Sequence, residues 1–346
     1  MAIIQTIGFT ALDQARLRDR IDLATRQVAT GNRGTSHGDL GVLARRGIDL
    51  RGEVARREAY VGAAEAALAK MDTAQGVLGR LQRIASDLGA EALRARTLGA
   101  VDVGVLAQAA RAALEEVASL LNTRQGQDYL FAGSDMATAP VPNAAGIATG
   151  PMAAAIAADV ATLTPANAAT VLAGTAATVS AAATTPFSAQ LEGPALAEPR
   201  RALQIADGER VAWGVLANQD QSGQVALSWG RELLRGLATL AALTPASAAQ
   251  GAGYDALLDG VHQGLAGAAR GLAQEQGALG AAERRVQATR ERHQDLFVAL
   301  RGQVAAVEQV DIADLGARLS QMRSRLEASY QVTASISQLS LAALLR

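Results

Sequence analysis

The feature that most restricts the fold is heptad spacing at both ends of the chain. Near the start, Leu17, Ile21, Ala24 and Val28 step by four, three and four, the a/d seam of a coiled-coil helix. Near the end, Ile312, Leu315, Leu319, Met322 and Leu326 form the clearest heptad of the chain, and Tyr330, Thr333, Ile336 and Leu339 continue it with softer positions. A stripe this narrow needs a second helix laid along it, because short isolated helices are marginal in water. The simplest solution is a hairpin with the N- and C-terminal helices antiparallel and the irregular middle of the chain at the far tip. The expected fold class is therefore mainly α: an elongated antiparallel helical bundle or coiled coil from the terminal segments, with a small mixed or β-containing insert.

Composition agrees with slender helices. Of 346 residues 49% are hydrophobic and only 3% aromatic, and much of the apolar fraction is alanine, so each helix offers modest burial. Net charge is −1, and Lys70 is the only lysine. No basic surplus points to nucleic acid or an anionic membrane as partner. Without cysteine, disulfides, zinc-thiolate sites and thiol catalysis are excluded. The opening MAIIQTIGFTALDQARLRDR does not read as a secretory signal peptide, so export would be expected to use a route that cuts no classical leader. No run of about eighteen apolar residues predicts a membrane span.

Along the chain, the first helix is predicted to stop at Thr30-Gly31-Asn32, where Gly and Asn tolerate a left-handed residue. A loop through Gly34, Gly38 and Gly41 precedes a helical region from about Arg45 to Asn122, with Gly89, Gly99 and Gly104 as candidate breaks. Residues 136–200, rich in Ala, Thr and Pro and without a sustained period, read as an insert or a poorly ordered domain. RRALQIADGERVAWGVL alternates around Asp207-Gly208 and predicts a hairpin within 201–217, the only β-structure expected. Helical patterning resumes near Ser228. Gly260, Gly264, Gly267 and Gly271 line one face of the next helix, which predicts a closely approaching partner helix. The expected domains are 1–44 with 306–346, a terminal coiled-coil polymerisation domain; 45–135 with 219–305, a helical bundle; and 136–218, an outer insert.

Reactive chemistry is sparse. His37, His262 and His293 stand far apart with no metal-ligand spacing, and no phosphate loop or nucleophile elbow occurs. Carboxylates such as Glu115-Glu116, Glu283 and the Asp311/Asp314 pair sit on amphipathic helices, where a solvated face or helix-start charge is the plain reading. The expectation is no catalytic site, no cofactor and no metal. Two readings of the terminal seams stand: an intramolecular coiled coil, or helices that become ordered only against neighbouring subunits. In the segment NTRQGQDYLFAGSD, Gly126 is expected to break the ascending helix. Tyr129 and Phe131 would then anchor the exit as an extended strand with both rings on one face, and Gly133 would release the chain.

Three blocks resemble the flagellin-like axial proteins of the bacterial flagellum, most closely the hook-filament junction proteins, the third of the hook-associated proteins. QVATGNR, residues 27–33, is similar to the family's end of the first seam helix. Tyr129, Leu130, Phe131, Ala132 and Gly133, within QDYLFAGS, are similar to a junction-protein motif that true flagellins lack. GALGAAERRVQ and VEQVDIADLGARLSQMRSRLEASYQVTASISQLSLAALL, within 277–346, look like the family's carboxy-terminal helices. Two departures stand: TSHGDLGVLARR, with Asp39 alone, replaces an Asp-rich or Asp-Pro segment, and the LLR ending is closer to flagellin. The resemblance implies a structural subunit, not an enzyme, secreted through the flagellar type III route with a dedicated export chaperone. It would self-assemble into a ring or tube between the first hook-associated protein and flagellin. The expected assembly interface is Leu17, Ile21, Val28, Leu315, Leu319, Met322, Leu326, Ile336 and Leu339, with Tyr129 and Phe131 closing the bundle beneath the insert. Flagellin itself is the alternative within the class, and a cytoplasmic coiled-coil scaffold the alternative outside it.

Overall fold

The computed structural model describes residues 2–34, 36–98, 102–226 and 228–344; the side chains of 2–11, 37, 98, 194–195 and 336–344 are outside the description. The order of elements is α1 (Ala2–Thr30), a 3-10 turn (His37–Leu43), α2 (Ala44–Leu98), α3 (Val103–Leu121), β1 (Arg124–Gln125), β2 (Asp128–Tyr129), α4 (Pro151–Ala161) and α5 (Ala168–Ser180). These are followed by α6 (Ala189–Glu192), α7 (Pro194–Ala197), β3 (Ala202–Ala206), β4 (Glu209–Ala212), α8 (Trp229–Ala241), α9 (Pro245–Ala248), α10 (Ala252–Glu308) and α11 (Ile312–Leu344). The fold is mainly α, long helices packed on each other with two small antiparallel two-stranded sheets. The chain divides into two compact units, residues 1–59 with 292–346 and residues 60–291.

The second unit is built around α8. Twelve of its residues, Trp229 to Leu234 and Gly236 to Ala241, are buried, the mark of a helix enclosed on all sides rather than one with a wet face. The helices α3, α4 and α5 pack against it. A Cβ on Gly271 of α10 would lie 2.9 Å from Trp229 Cβ, and one on Gly264 2.8 Å from the charged ends of Glu232 and Arg235. The glycine face of α10 therefore meets α8. Gly260 faces Leu172 of α5 instead, whereas Gly267 faces no other element closely. Within the unit α2 and α10 run antiparallel: Gln75 Nε2 donates to the Gln276 carbonyl (2.9 Å), His262 Nδ1 to the Gly89 carbonyl (2.9 Å), and Arg96 to Asp259 (2.7 Å).

Charges buried around α8 are paired, as their desolvation requires. Arg231 donates to the Val179 carbonyl and to Glu192, each at 2.6 Å, which ties the ends of α5 and α6 to α8. Glu232 pairs with Arg235 one turn on. Glu275 of α10 is fully buried and accepts from Arg200 at 3.0 and 3.2 Å, while Arg200 also holds the Asp220 carbonyl at 2.6 Å. Burial pushes the Glu275 carboxyl above the usual carboxylate range, against the opposing pull of Arg200.

Several expectations are corrected here. Residues 136–200 are not a poorly ordered segment: α4 buries Met152, Ile156 and Val160, and α5 buries Val171, Thr175 and Val179, against α8 and its surroundings. Their outer faces are alanine and threonine, so the contrast that reveals an amphipathic helix is missing even though the buried residues recur every four. Gly89 does not break α2; it lies inside the helix facing Leu265 of α10. α2 ends at Leu98 and α3 begins at Val103 with Gly104 in its first turn, where Asp102 N-caps the helix by accepting from the Gly104 amide (2.8 Å); Gly99 lies outside the described residues. The hairpin at 201–217 is present as β3 and β4, with Gly208 at φ +75° in its turn. It is not the only β-structure, since β1 and β2 form a second, smaller one.

The close approaches make a paired prediction. A Cβ on Gly230 would fall 1.8 Å from the Ala217 carbonyl oxygen, whereas the exposed Gly277 of α10 meets nothing within 4 Å. Gly230→Ala should lower the thermal midpoint, since overpacking costs about 1–3 kcal/mol or more. Gly277→Ala should raise stability by up to about 1 kcal/mol through helix propensity. Thermal unfolding followed by circular dichroism checks both signs, and equal effects would contradict this packing.

Candidate assembly site

The first unit holds the terminal helices. α1 and α11 pack on each other and run antiparallel: Gln14 meets Ser329 while Asn32 bridges Gln309. On α1 the seam residues with reduced exposure are Gln14, Leu17, Ile21, Ala24 and Val28, with Gln27 beside the last of them; on α11 they are Leu315, Leu319, Met322, Leu326, Ser329 and Thr333. Both sets keep the three-four rhythm of a seam. The antiparallel order puts Leu17 level with Leu326, Ile21 with Met322, and Val28 with Leu315. Two expected seam residues lie elsewhere. Ile312 is exposed, and Tyr330 points outward, where its hydroxyl accepts from Arg18 Nε (2.6 Å) and its ring lies 5.3 Å from the same guanidinium. Ser329 occupies the seam position in place of Tyr330, because a three-residue step from Leu326 reaches Ser329. Ile336 and Leu339 lie on α11, outside the residues whose side chains are described.

The breaks between α1 and the 3-10 turn and between α10 and α11 face each other and are clasped. Gly31, at φ +70°, ends α1 with its amide on the Gln27 carbonyl (2.8 Å). The Arg33 amide donates to the Glu308 carbonyl (2.7 Å) and the Val310 amide to the Gly31 carbonyl (3.0 Å). Arg33 then reaches across with its side chain, Nε to the Gln309 carbonyl (3.0 Å) and Nη2 to the Ala306 carbonyl (3.1 Å), satisfying carbonyls that the end of α10 leaves unpaired. Arg51 of α2 holds Glu308 by two hydrogen bonds of 2.6 and 2.7 Å. On the other side Asp311 N-caps α11, its Oδ1 accepting from the Ala313 and Asp314 amides. Asp39, alone in its loop, accepts from the Ser36 amide (2.8 Å) at the start of the 3-10 turn. Sequence reasoning found Arg33 only as part of a block. Gln14, Arg51 and Glu308 carried no signal beyond position.

Burial separates the two units sharply. In the first, Ala24 and Val307 are the only buried apolar side chains among the described residues, whereas the second contains every other one. Of the ten large apolar side chains exposed among the described residues, nine lie in the first unit: Leu12, Leu23, Val42, Ile48, Leu296, Val298, Ile312, Tyr330 and Val332. Val42, at the tip of the 3-10 turn, is 97% exposed. A unit with so much apolar surface and so little interior is poorly supplied with hydrophobic stabilisation of its own.

The Tyr129–Gly133 motif lies in the second unit, and the reading of it is corrected in part. α3 ends at Leu121, and Gly126, at φ +65°, makes the turn between β1 and β2 rather than breaking the helix. The strand does not run on through Phe131. Leu130 and Phe131 turn, so Phe131 is fully buried, whereas Tyr129 is half-buried with the Arg124 guanidinium 5.0 Å from its ring. Ala132 bridges Leu216 and Gly133 follows at φ +70°. Lys70 donates to Asp128 beside the motif, and Arg201 lies 3.4 Å from the same oxygen.

The Lys70 hydrogen bond, helped by the charge of Arg201, holds the Asp128 carboxyl below the usual carboxylate range. A carboxylate whose folded pKa is depressed stabilises the fold above its unfolded pKa, and that contribution is lost as pH falls through the folded value. Asp128→Asn should therefore be less stable than the wild type at pH 7, with a difference that shrinks as pH is lowered to about 3. Denaturant unfolding at both pH values checks this; a constant difference would contradict it.

Among the described residues no group of three His, Cys, Asp or Glu is arranged to hold a metal ion, and no helix is long and apolar enough to cross a membrane. In a comparison with curated proteins, none matched. Residues 263–345, from within α10 to the end of α11, match the family model of the bacterial flagellin C-terminal helical region. That match covers less than a quarter of the chain and supports a flagellin-like axial subunit of the flagellum.

Proposed function

We propose that this chain is a junction subunit of the flagellum, assembling through α1 and α11 into a ring or tube between the hook and the filament. The observation that carries the assembly reading is the uneven burial: among the described residues the first unit leaves nine large apolar side chains exposed and buries only Ala24 and Val307. Association with neighbouring copies would cover that surface, and the seam residues Leu17, Ile21, Val28, Leu315, Leu319, Met322 and Leu326 would stiffen as it did so. Ile336 and Leu339 extend the same stripe in sequence. The partners on this reading are the first hook-associated protein on one side and flagellin on the other. An export chaperone would accompany the unfolded chain through the flagellar type III route. No catalytic step is part of the function.

Placement at the junction rests on the Tyr129–Gly133 motif and its resemblance to junction proteins. Flagellin, the filament subunit, is the second reading, favoured by the match of residues 263–345 to the flagellin C-terminal helical region. Copy number separates the two: about one helical turn of subunits at the hook tip supports the junction, thousands along a filament support flagellin. Deletion of the gene should leave bare hooks and shed unpolymerised flagellin into the medium, seen by electron microscopy and by blotting the supernatant. Normal filaments on the deletion strain would overturn the junction reading.

A further inference from the structure

We infer that Gln14, with Ser329 and Thr333, fixes the register in which the distal halves of the terminal helices pair. The need for such a device follows from the seam itself. Leucines and their equivalents recur at heptad spacing on both helices, so a slide of seven residues would bring Leu17 level with Leu319 instead of Leu326 and re-form an apolar stripe. Two α1 helices from different copies could pair on the same stripe. Apolar contacts alone discriminate poorly among these arrangements, because they are non-directional.

The polar cluster is directional and occurs once among the described residues of the seam. Gln14 Nε2 donates to Thr333 Oγ1 (2.9 Å) and to Ser329 Oγ (3.1 Å), and lies 3.4 Å from the Ser329 carbonyl. All three side chains are partly buried at seam positions. Thr333 Oγ1 is itself oriented, donating to the Ser329 carbonyl at 2.8 Å. In the slid register Gln14 would stand level with Met322, seven residues from Ser329, so the donor would face an apolar side chain and Ser329 and Thr333 would lose their partner on α1. A pair of α1 helices would set Gln14 against no Ser329 at all. The clasp at Gly31, Arg33 and Val310 holds the proximal end of the pair; Gln14 lies about 25 Å farther along α1, at 1.5 Å per residue. One contact of this kind per seam is the arrangement that sets register in coiled coils at some cost in stability.

This inference rests on the assembly reading only for its consequence, that mis-paired terminal helices would not dock. The test needs no assembly. The chain has no cysteine, so two introduced thiols report one pairing each. The in-register pair is Leu17→Cys with Leu326→Cys, and the slid pair is Leu17→Cys with Leu319→Cys, each in the full chain and treated with a short bis-maleimide. Leu17→Cys alone reports α1–α1 dimers. With Gln14 present, only the in-register pair should cross-link efficiently. In a Gln14→Leu background, the slid pair or the α1–α1 dimer should rise at least about tenfold. Ser329→Ala with Thr333→Val should do the same from the other helix, and combining both sets should add nothing further. Cross-linking confined to the in-register pair in both variants would overturn the inference, as would failure of that pair to cross-link with Gln14 intact. Register control in the purified chain together with normal filaments on the deletion strain would sink the junction reading and leave this one standing.

Discussion

Two helices facing each other along one narrow stripe cannot make an interior, and that constraint governs the terminal unit. Its other seam residues are half-covered, and Ala24 and Val307 alone are buried apolar side chains among the described residues. Hydrogen bonds at the clasp do what the missing core cannot, by fixing where the helices begin and end. Gly31 permits the turn, Arg33 takes up the free carbonyls of α10, and Asp311 starts α11 on the other side of the same break. These contacts set geometry more than they supply stability, since exposed polar contacts are worth little net free energy. The result is a defined pair of helices whose remaining apolar surface is available for association.

The second unit has the opposite character. Its centre is a helix buried on all sides, and close packing there depends on the missing side chains of Gly230, Gly236 and Gly271. The helices of residues 151–180 cover α8, and Arg231 ties the ends of α5 and α6 to it. They are part of this core. Phe131 is buried in the same core, so the Tyr129–Gly133 motif marks where the chain leaves α3 and enters that cover. A self-sufficient unit joined to one with little interior suits a protein that must persist as a monomer and then bind its own kind.

Legibility in the sequence followed side-chain contrast. The terminal seams could be read because Leu, Ile and Met alternate with Arg, Asp and Gln at a strict spacing. The glycine face of α10 could be read because four glycines in a helix need a reason, and α8 and α5 supply it for three of them. By contrast, α4 and α5 escaped because alanine on their outer faces erased the period that Met152, Ile156 and Val160 follow. The two-residue strands β1 and β2 are too short for any alternation to register. At Ser329 a rule of size misled: Tyr330 is the larger side chain, but the helical step from Leu326 reaches the smaller one. The clasp was only partly visible, because Arg51 and Glu308 are distant in sequence and meet only once α2 and α10 are folded.

The central claim is that the terminal unit lacks a core of its own and gains protection on association. Hydrogen–deuterium exchange on the monomer and on assembled material, read peptide by peptide, tests it most directly. Amides of α1 and α11 should exchange far faster than those of α8 in the monomer and become protected in the assembly, while α8 changes little. If α1 and α11 were already as protected as α8 in the monomer, the terminal unit would be self-sufficient and the account would be contradicted.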